Sequence, residues 1–231
     1  MKKISFILSS AVIIFISCKK SATEAATPTG YQWPAGTSEY APYTNGSTFT
    51  FETSTGTPVV VDSFTYTVTK DTAISGKTFR KLQSNKPSLA ATYFTNFSDN
   101  VITEISYNNS FQGVAIPPIL QTVLLDNVAV NTVWKDSTTV TVPYNGFNIP
   151  IPVSFNYTML QKDITKNILS KDYVNTFEVK QIISIPQQYS TAANLPTNSV
   201  QLNNFYSKGV GRIQRDAQAS SIKIKRYNVV K

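Results

Sequence analysis

A strand-length alternation of apolar and polar residues runs through most of this 231-residue chain and constrains its fold more than any other feature. From Thr48 onward Val, Ile, Thr, Tyr and Phe predominate, and apolar residues alternate with polar ones, as in Phe64-Thr65-Tyr66-Thr67-Val68. A period of two is typical of strands that bury one face. Strands are therefore predicted at 48–52, 64–68, 77–83, 91–97, 101–107, 133–142, 151–160, 173–185, 201–206, 211–215 and 221–229.

Turn-forming residues separate these strands and no long helical periodicity interrupts them. The predicted turns are Asn45-Gly46, Ser75-Gly76, Ser98-Asp99-Asn100 and Asn145-Gly146. Many short strands joined by such turns predict an all-β fold, an antiparallel sandwich or a partly closed barrel.

The two halves of this region share a weak pattern. Phe64-Thr65-Tyr66-Thr67 is followed by Asp71 and then by a strand with Lys77 and Phe79. Phe155-Asn156-Tyr157-Thr158 is followed by Asp163 and then by a strand with Lys171 and Tyr173. Each copy reads as Phe-x-Tyr-Thr, a turn with Asp, and Lys-x-aromatic. Either the pattern reflects two duplicated β-meander halves that pack together, or it is a chance similarity between two strands of similar composition.

The N-terminus has the form of a secretory signal. Met1-Lys2-Lys3 is basic, and residues 4–16 form an apolar run too short to cross a bilayer, which needs about 20 residues. The next residues, Phe15-Ile16-Ser17-Cys18, resemble the lipobox of bacterial lipoproteins, with Phe15 where Leu is usual. The resemblance implies cleavage before Cys18 and acylation of its thiol, palmitate included. The predicted organisation is a lipoprotein signal peptide (a signal helix) over 1–17, a flexible tether with lipidated Cys18 over 18–35, and an all-β domain over 36–231.

Such an anchor places the chain in the cell envelope, with the membrane as its first partner. By analogy with lipoprotein sorting, Lys19 in place of Asp favours the outer membrane. Cys18 is the sole cysteine, so the domain can form no internal disulfide and depends on burial for its stability. Nucleic acid is not an expected partner of an exported, anchored protein.

The residue inventory excludes most catalytic chemistry. The chain has no histidine, which removes Ser-His-Asp and Cys-His arrangements and imidazole metal sites. Neither a phosphate-binding glycine loop nor a calcium loop is present. The 13 acidic residues are scattered, and several, such as Asp99, Asp126 and Asp163, fall in predicted turns. The prediction is a protein that is not an enzyme and has no cofactor or metal; a carboxylate-based hydrolase is the alternative.

Basic residues outnumber acidic ones by 21 to 13, and the excess is concentrated near the C-terminus. One interpretation is an exposed strand face that Lys and Arg keep soluble and protect from edge pairing. The other is a surface for polyanions or lipid head groups. The residues concerned are Lys208, Arg212, Arg215, Lys223, Lys225, Arg226 and Lys231.

Two apolar segments interrupted by proline are the candidate ligand or partner surface. Because proline does not fit a central strand, they are predicted as loops that either border a lipid-binding cavity or cap the sheet as core. Their candidate residues are Ile116, Ile119 and Leu120 in the first segment and Phe147, Ile149 and Ile151 in the second.

The segment Tyr206-Ser207-Lys208-Gly209-Val210-Gly211-Arg212-Ile213, with Trp134, resembles a Bacteroidota lipoprotein family of unknown function, the TapB-like group. Its members end in an aromatic-x-x-Gly-Val-Gly strand. The resemblance implies a curved β-sheet similar to periplasmic lipoprotein carriers and supplies no catalytic residues. Gly209 and Gly211 within a strand predict a bulge or a close backbone approach.

Two functional hypotheses remain. The first is a non-catalytic binding module in the cell envelope for a hydrophobic ligand or lipid. The second is a structural or interaction lipoprotein that presents a solid β-domain to an envelope protein or glycan partner.

Overall fold

The computed structural model describes residues 31–106, 109–111, 114–116, 118–144, 147–192 and 199–231. The first strands are β1 (Thr48–Thr55), β2 (Val60–Ile74), β3 (Lys77–Ser84), β4 (Tyr93–Ser98), β5 (Val101–Ser106), β6 (Asn109–Phe111), β7 (Val114–Ile116) and β8 (Leu120–Leu125). The later elements are β9 (Val133–Tyr144), β10 (Phe147–Ile168), β11 (Lys171–Ser184), the short helix α1 (Gln187–Ala192), β12 (Ser199–Ser207), β13 (Gly211–Ala217) and β14 (Ser220–Asn228).

Within these residues, twelve strands form one antiparallel sheet that is nearly closed into a barrel. The strand order is β8-β5-β4-β3-β2-β1-β14-β13-β12-β11-β10-β9, and β6 and β7 form a separate hairpin. The sheet consists of two six-stranded meanders, joined where β1, the first strand of one, pairs with β14, the last strand of the other. The all-β prediction and its partly closed barrel are confirmed.

The repeated pattern occupies equivalent places in the two meanders. Phe64 lies in β2 and Phe155 in β10, the second strand of each meander. The expected turns at Asp71 and Asp163 are wrong, because both residues lie inside these long strands, where the pairing register shifts. Bulges explain the error: an extra residue breaks the alternation and looks like a strand end in the sequence. Duplication itself stays a prediction.

The predicted tight turns at Asn45-Gly46, Ser75-Gly76 and Asp99-Asn100 are present, and Asn145-Gly146 lies outside the described residues. Gly46, Ser75, Asp99 and Asn100 all have positive φ. Such φ values are what Gly and Asn tolerate best, and they match the right-handed twist of hairpin strands.

The segment 33–47, before the first strand, fills one end of the curved sheet. Tyr40 stacks on Phe177 at 4.3 Å between ring centroids, and Tyr43 packs edge-on against Phe49 at 5.1 Å. The Gly209 amide donates to the carbonyl of Glu39. This segment therefore packs into the core, and it belongs to the same compact unit as the strands, Gln32–Lys231. Cys18, the predicted signal peptide and the predicted tether up to residue 30 lie outside the described residues. No helix among the described residues is long and apolar enough to span a membrane.

Most described residues of the two proline-interrupted segments lie in strands, so the prediction of loops is wrong for them, whereas Pro118 and Ile119 lie between strands. Residues 120–125 form β8, an edge strand, and 147–153 form the first part of β10. That part pairs with β9 only, because pairing with β11 begins at Ser154. Pro150 and Pro152 lie in this singly paired stretch, where a missing N–H on the open side costs no ladder hydrogen bond.

Candidate functional site

The sheet fails to close between β8 and β9, which we call the seam. No backbone ladder joins these two strands in the described part of the chain. Side chains of β9 bridge them instead: the Trp134 indole Nε1 donates to the Thr122 carbonyl at 2.6 Å, and the Thr122 amide donates to the Asp136 carboxylate. One residue of β8 thus has both of its backbone polar groups satisfied by side chains across the seam.

A cavity of about 330 Å³ lies inside the sheet. The β3–β4 connection borders it, since Leu89, Ala90 and Ala91 belong to its lining. That volume is at the lower end of the range of small-molecule sites, about 300 to 1,000 Å³. Aromatic and aliphatic side chains supply most of the wall, among them Phe51, Phe64, Tyr66, Tyr93, Val123, Phe155, Ile183, Leu202 and Ile222.

A nearly buried ion pair crosses the interior. The Arg212 guanidinium of β13 contacts both carboxylate oxygens of Glu104 on β5, at 3.0 and 3.3 Å, and the two side chains are 12% and 10% exposed. Burial disfavours the charged guanidinium, but the Glu104 carboxylate and three neighbouring tyrosines together outweigh it and hold the pKa of Arg212 well above its ordinary value. Tyr93 lies under the guanidinium, with 5.3 Å between the central carbon and the ring centroid. The pair ties together two strands that are far apart in the sheet.

Arg215 is a second cation in the cavity wall. Its Nε donates to the Asn204 side-chain oxygen at 2.8 Å. Burial, together with the like charge of Arg212, lowers the pKa of Arg215. An arginine nevertheless remains protonated, so the cavity holds a charged guanidinium next to apolar side chains.

The inward position of both arginines depends on a β-bulge. Arg212 and Arg215 are three residues apart, and strict alternation would place them on opposite faces. The pairing of β12 with β13 shifts between Phe205 and Tyr206, so β13 carries one extra residue, and both arginines line the cavity. The interpretation of the C-terminal basic residues as one exposed face is therefore wrong for these two, whereas Lys225 and Arg226 are exposed.

Two glutamine side chains and one tyrosine side chain form an uncharged hydrogen-bond network at the cavity wall. The Tyr157 hydroxyl donates to Gln121 Oε1 at 2.8 Å, and Gln181 Nε2 donates to the Tyr157 oxygen at 3.1 Å. Trp134 stacks on Tyr157 at 5.5 Å, which connects this network to the seam. Gln121 and Gln181 both line the cavity.

The glycines of the C-terminal motif position this site. Gly211 has φ +88°, and a Cβ there would lie 2.5 Å from the Tyr43 hydroxyl oxygen. That hydroxyl accepts a hydrogen bond from the Arg212 amide at 3.2 Å. The close backbone approach predicted from the sequence is therefore present at Gly211. It holds Tyr43 against the start of β13, directly beside the arginine of the ion pair.

The predicted surface residues lie close to the cavity but do not line it where their side chains are described. Ile151 is buried at 6% exposure, Ile119 and Ile149 pack against the core, and Leu120 is 49% exposed. Ile116 ends β7 and Phe147 begins β10, and their side chains lie outside the described part of the structure. Gln121 and Val123 of the same β8 segment do line the cavity. A ligand or partner role for the six residues stays a prediction.

Sequence reasoning missed Glu104. It named Arg212 and Arg215 as part of an exposed face or of a surface for polyanions or lipid head groups, but it did not place them inside the sheet. The one available signal was Arg212 directly after the glycine motif, in a strand with otherwise buried positions. In the described residues no group of three or more Cys, Asp or Glu side chains is placed to hold a metal ion.

Comparisons with known proteins give a distant likeness only. No family model matches the sequence, and no curated protein matches it. Two solved structures are similar to it. One is a "putative lipoprotein" from Parabacteroides distasonis, 11% identical, covering 84% of this chain and all of that one, with a TM-score of 0.44. The other is a "putative exported protein with YmcC-like fold" from Bacteroides fragilis, 9% identical, covering 81% of this chain and 97% of that one, with a TM-score of 0.35.

Proposed function

We propose that this protein is a non-catalytic binding module that holds a hydrophobic molecule or lipid inside its curved sheet. The observation that carries the proposal is the interior cavity of about 330 Å³ with aromatic and aliphatic walls. A ligand that fills such a space gains about 25 cal/mol for each Å² of apolar surface removed from water.

The polar groups of the cavity fit binding better than hydrolysis. Glycoside hydrolysis requires two carboxyl groups about 5 to 9.5 Å apart, one of them protonated. Glu104 is the one carboxylate among the cavity-lining residues, and it is paired with Arg212. Both of its oxygens contact that guanidinium, so neither is placed to reach a substrate.

Native mass spectrometry of residues 18–231 tests the proposal. Cys18→Ser prevents acylation, the whole compact unit Gln32–Lys231 is retained, and purification without detergent keeps the cavity free of it. We expect a reproducible excess mass that extracts into organic solvent, or uptake of a fluorescent fatty acid by the empty protein. A measured mass equal to that of the polypeptide alone, with no uptake of the fluorescent fatty acid, would overturn the proposal.

A cavity-filling variant locates the bound molecule. Ala91 lies in the cavity wall, and its carbonyl accepts from Tyr66, so its side chain can be enlarged without removing that hydrogen bond. Ala91→Trp should reduce uptake of the fluorescent fatty acid, and Ala129→Trp, at an exposed position, should leave uptake unchanged.

The proposal includes an anchor in the outer membrane through lipidated Cys18, which the lipobox resemblance and Lys19 support. Labelling of cells with a palmitate analogue should mark the wild-type protein and not Cys18→Ala. Membrane fractionation should place the wild-type protein in the outer membrane, and Lys19→Asp should move it to the inner one. Release of the wild-type protein in soluble form would contradict the anchor.

The alternative, an interaction protein with an envelope partner, is favoured by one observation. Val59, Val60 and Val61 are 67%, 63% and 59% exposed on the β1–β2 hairpin, at the cavity end of the sheet. Consecutive exposed valines are unusual on a surface without a contact to make. Crosslinking of the intact lipoprotein in cells should capture a protein partner through this hairpin if the alternative holds, and Val60→Lys should abolish that crosslink.

A further inference from the structure

The charges in the cavity do not balance. Its lining contains two guanidinium groups, Arg212 and Arg215, and one carboxylate, Glu104. Both oxygens of Glu104 contact Arg212. Arg215 takes part in none of the five salt bridges found among the described residues.

An uncompensated cation is costly at this position. A charged group removed from water requires a partner of opposite charge or several hydrogen bonds. Within the described part of the chain, Arg215 has one side-chain hydrogen bond, from Nε to Asn204, and its terminal nitrogens are left for another acceptor. A guanidinium presents those nitrogens as a fork that matches the two oxygens of a carboxylate or phosphate.

Apolar wall surrounds this cation. Ile222 is the partner of Arg215 on β14, and Leu202 lies two residues from its partner Asn204 on β12. Both line the cavity, as do Phe51 and Phe64. A molecule bound here would meet one positive charge and an otherwise hydrophobic surface.

We propose that Arg215 binds the anionic head group of an amphipathic ligand, a molecule with an apolar body and one carboxylate or phosphate. The inference rests on the proposed function. It narrows the class of ligand from hydrophobic molecules in general to those with a single anionic head group. The ligand's head group supplies the negative charge that the cavity lacks, and its apolar body contacts the aromatic wall.

Isothermal titration of the detergent-free Cys18→Ser protein with three matched probes tests this. Laurate and dodecyl phosphate carry a head-group charge, and dodecanol has the same chain without one. We expect at least one of the two anions to bind about tenfold or more tightly than dodecanol, because a hydrogen-bonded charge contact changes affinity by at least that factor. The anion that binds more tightly identifies the head group.

Substitutions of Arg215 then test whether this residue contacts the head group of the bound anion. Arg215→Gln should abolish the preference for the anion and leave dodecanol binding unchanged, which also shows that the fold is intact. Arg226→Gln removes an equal charge from the exposed part of β14 and should change nothing. If Arg215→Gln does not fold, Arg215→Lys keeps the charge without the fork and should weaken anion binding several-fold. Equal binding of all three probes would overturn the anionic head group while leaving the binding function, and no binding of any probe would overturn both.

Discussion

The Trp134 indole nitrogen lies 2.6 Å from the Thr122 carbonyl oxygen, to which it donates a hydrogen bond. This bond crosses the seam between β8 and β9, the last strand of one meander and the first of the other. The equivalent junction between β1 and β14 is an eight-residue backbone ladder. The sheet is thus closed by main-chain hydrogen bonds at one junction and by side chains at the other.

Replacement of the indole should loosen the seam. Trp134→Phe retains an aromatic ring to stack on Tyr157 but removes the donor, which leaves the Thr122 carbonyl unpaired. We expect a loss of about 1 to 2 kcal/mol in the free energy of unfolding. Hydrogen exchange of β8 amides should accelerate, while exchange in β1 does not. Lys135→Gln, at an exposed position on the same strand, is the control, and equal effects of the two variants would contradict the role of the indole.

The interior ion pair should matter far more than a surface pair. Glu104→Gln leaves Arg212 without its carboxylate in a nearly buried site, and breaking such a pair costs about 3 to 5 kcal/mol. Glu52→Gln removes the partner of Lys225, 3.5 Å away and largely in water, where an ion pair contributes about 0 to 1 kcal/mol. Urea denaturation of the two variants measures the difference. Equal midpoints would show that Glu104 does not stabilise the fold.

The two motif glycines should differ in their tolerance of a methyl group. Gly209 and Gly211 both have positive φ, so alanine at either position costs about 1 kcal/mol or more in backbone strain. Nothing lies within 4 Å of a Cβ at Gly209, whereas at Gly211 it would overlap Tyr43. Gly211→Ala should therefore lower the free energy of unfolding by about 1 to 3 kcal/mol more than Gly209→Ala. Similar losses in thermal or urea melts would refute a packing role for Gly211.

Alkaline pH should unfold the domain through its buried tyrosines. Burial raises the pKa of Tyr66 to about 12, and it also raises the pKa values of Tyr43, Tyr93 and Tyr206. The folded state therefore retains protons that the unfolded chain loses above about pH 10, so stability falls as pH rises from there towards 12. Each such tyrosine lowers the free energy of unfolding by up to about 1.4 kcal/mol for each pH unit in this range.

Ultraviolet titration of tyrosinate, run together with circular dichroism, checks this dependence. Ionisation of these four tyrosines should coincide with the loss of β-structure, and Tyr66→Phe should make the fall in stability less steep. Smooth ionisation near the ordinary tyrosine pKa, with the β-signal intact, would be incompatible with their burial.

A polar substitution at Ile151 should separate core from surface among the predicted ligand residues. Ile151 is in the core, so Ile151→Asp buries a carboxylate without a partner and should prevent folding. Leu120→Asp, at a half-exposed position, should leave the fold intact. Solubility and circular dichroism of both variants measure the outcome. A folded Ile151→Asp protein with lost fatty-acid uptake would instead assign Ile151 to the ligand.

The fold class and much of the core follow from the local pattern of the chain. Phe64, Tyr66, Phe155 and Tyr157 alternate with polar residues, and all four are buried in the structure. Alternation is a local property of an extended chain, since successive side chains point to opposite faces, so it can be read without knowing which strands pair. The glycine pair before Arg212 likewise indicated a close approach of the backbone, because a side chain is absent where a neighbour needs the space.

Features that depend on which strands pair, and in which register, are established only in the folded protein. The bulge in β13 turns Arg215 to the same side as Arg212, and the sequence alone does not distinguish such a bulge from the end of a strand. Glu104 and Arg212 meet across more than one hundred residues of chain, and Trp134 meets Thr122 only because the sheet curves back on itself. The cavity and its excess positive charge follow from this closure. Strand register and sheet curvature are collective properties of all the strands, and no local stretch of sequence fixes them.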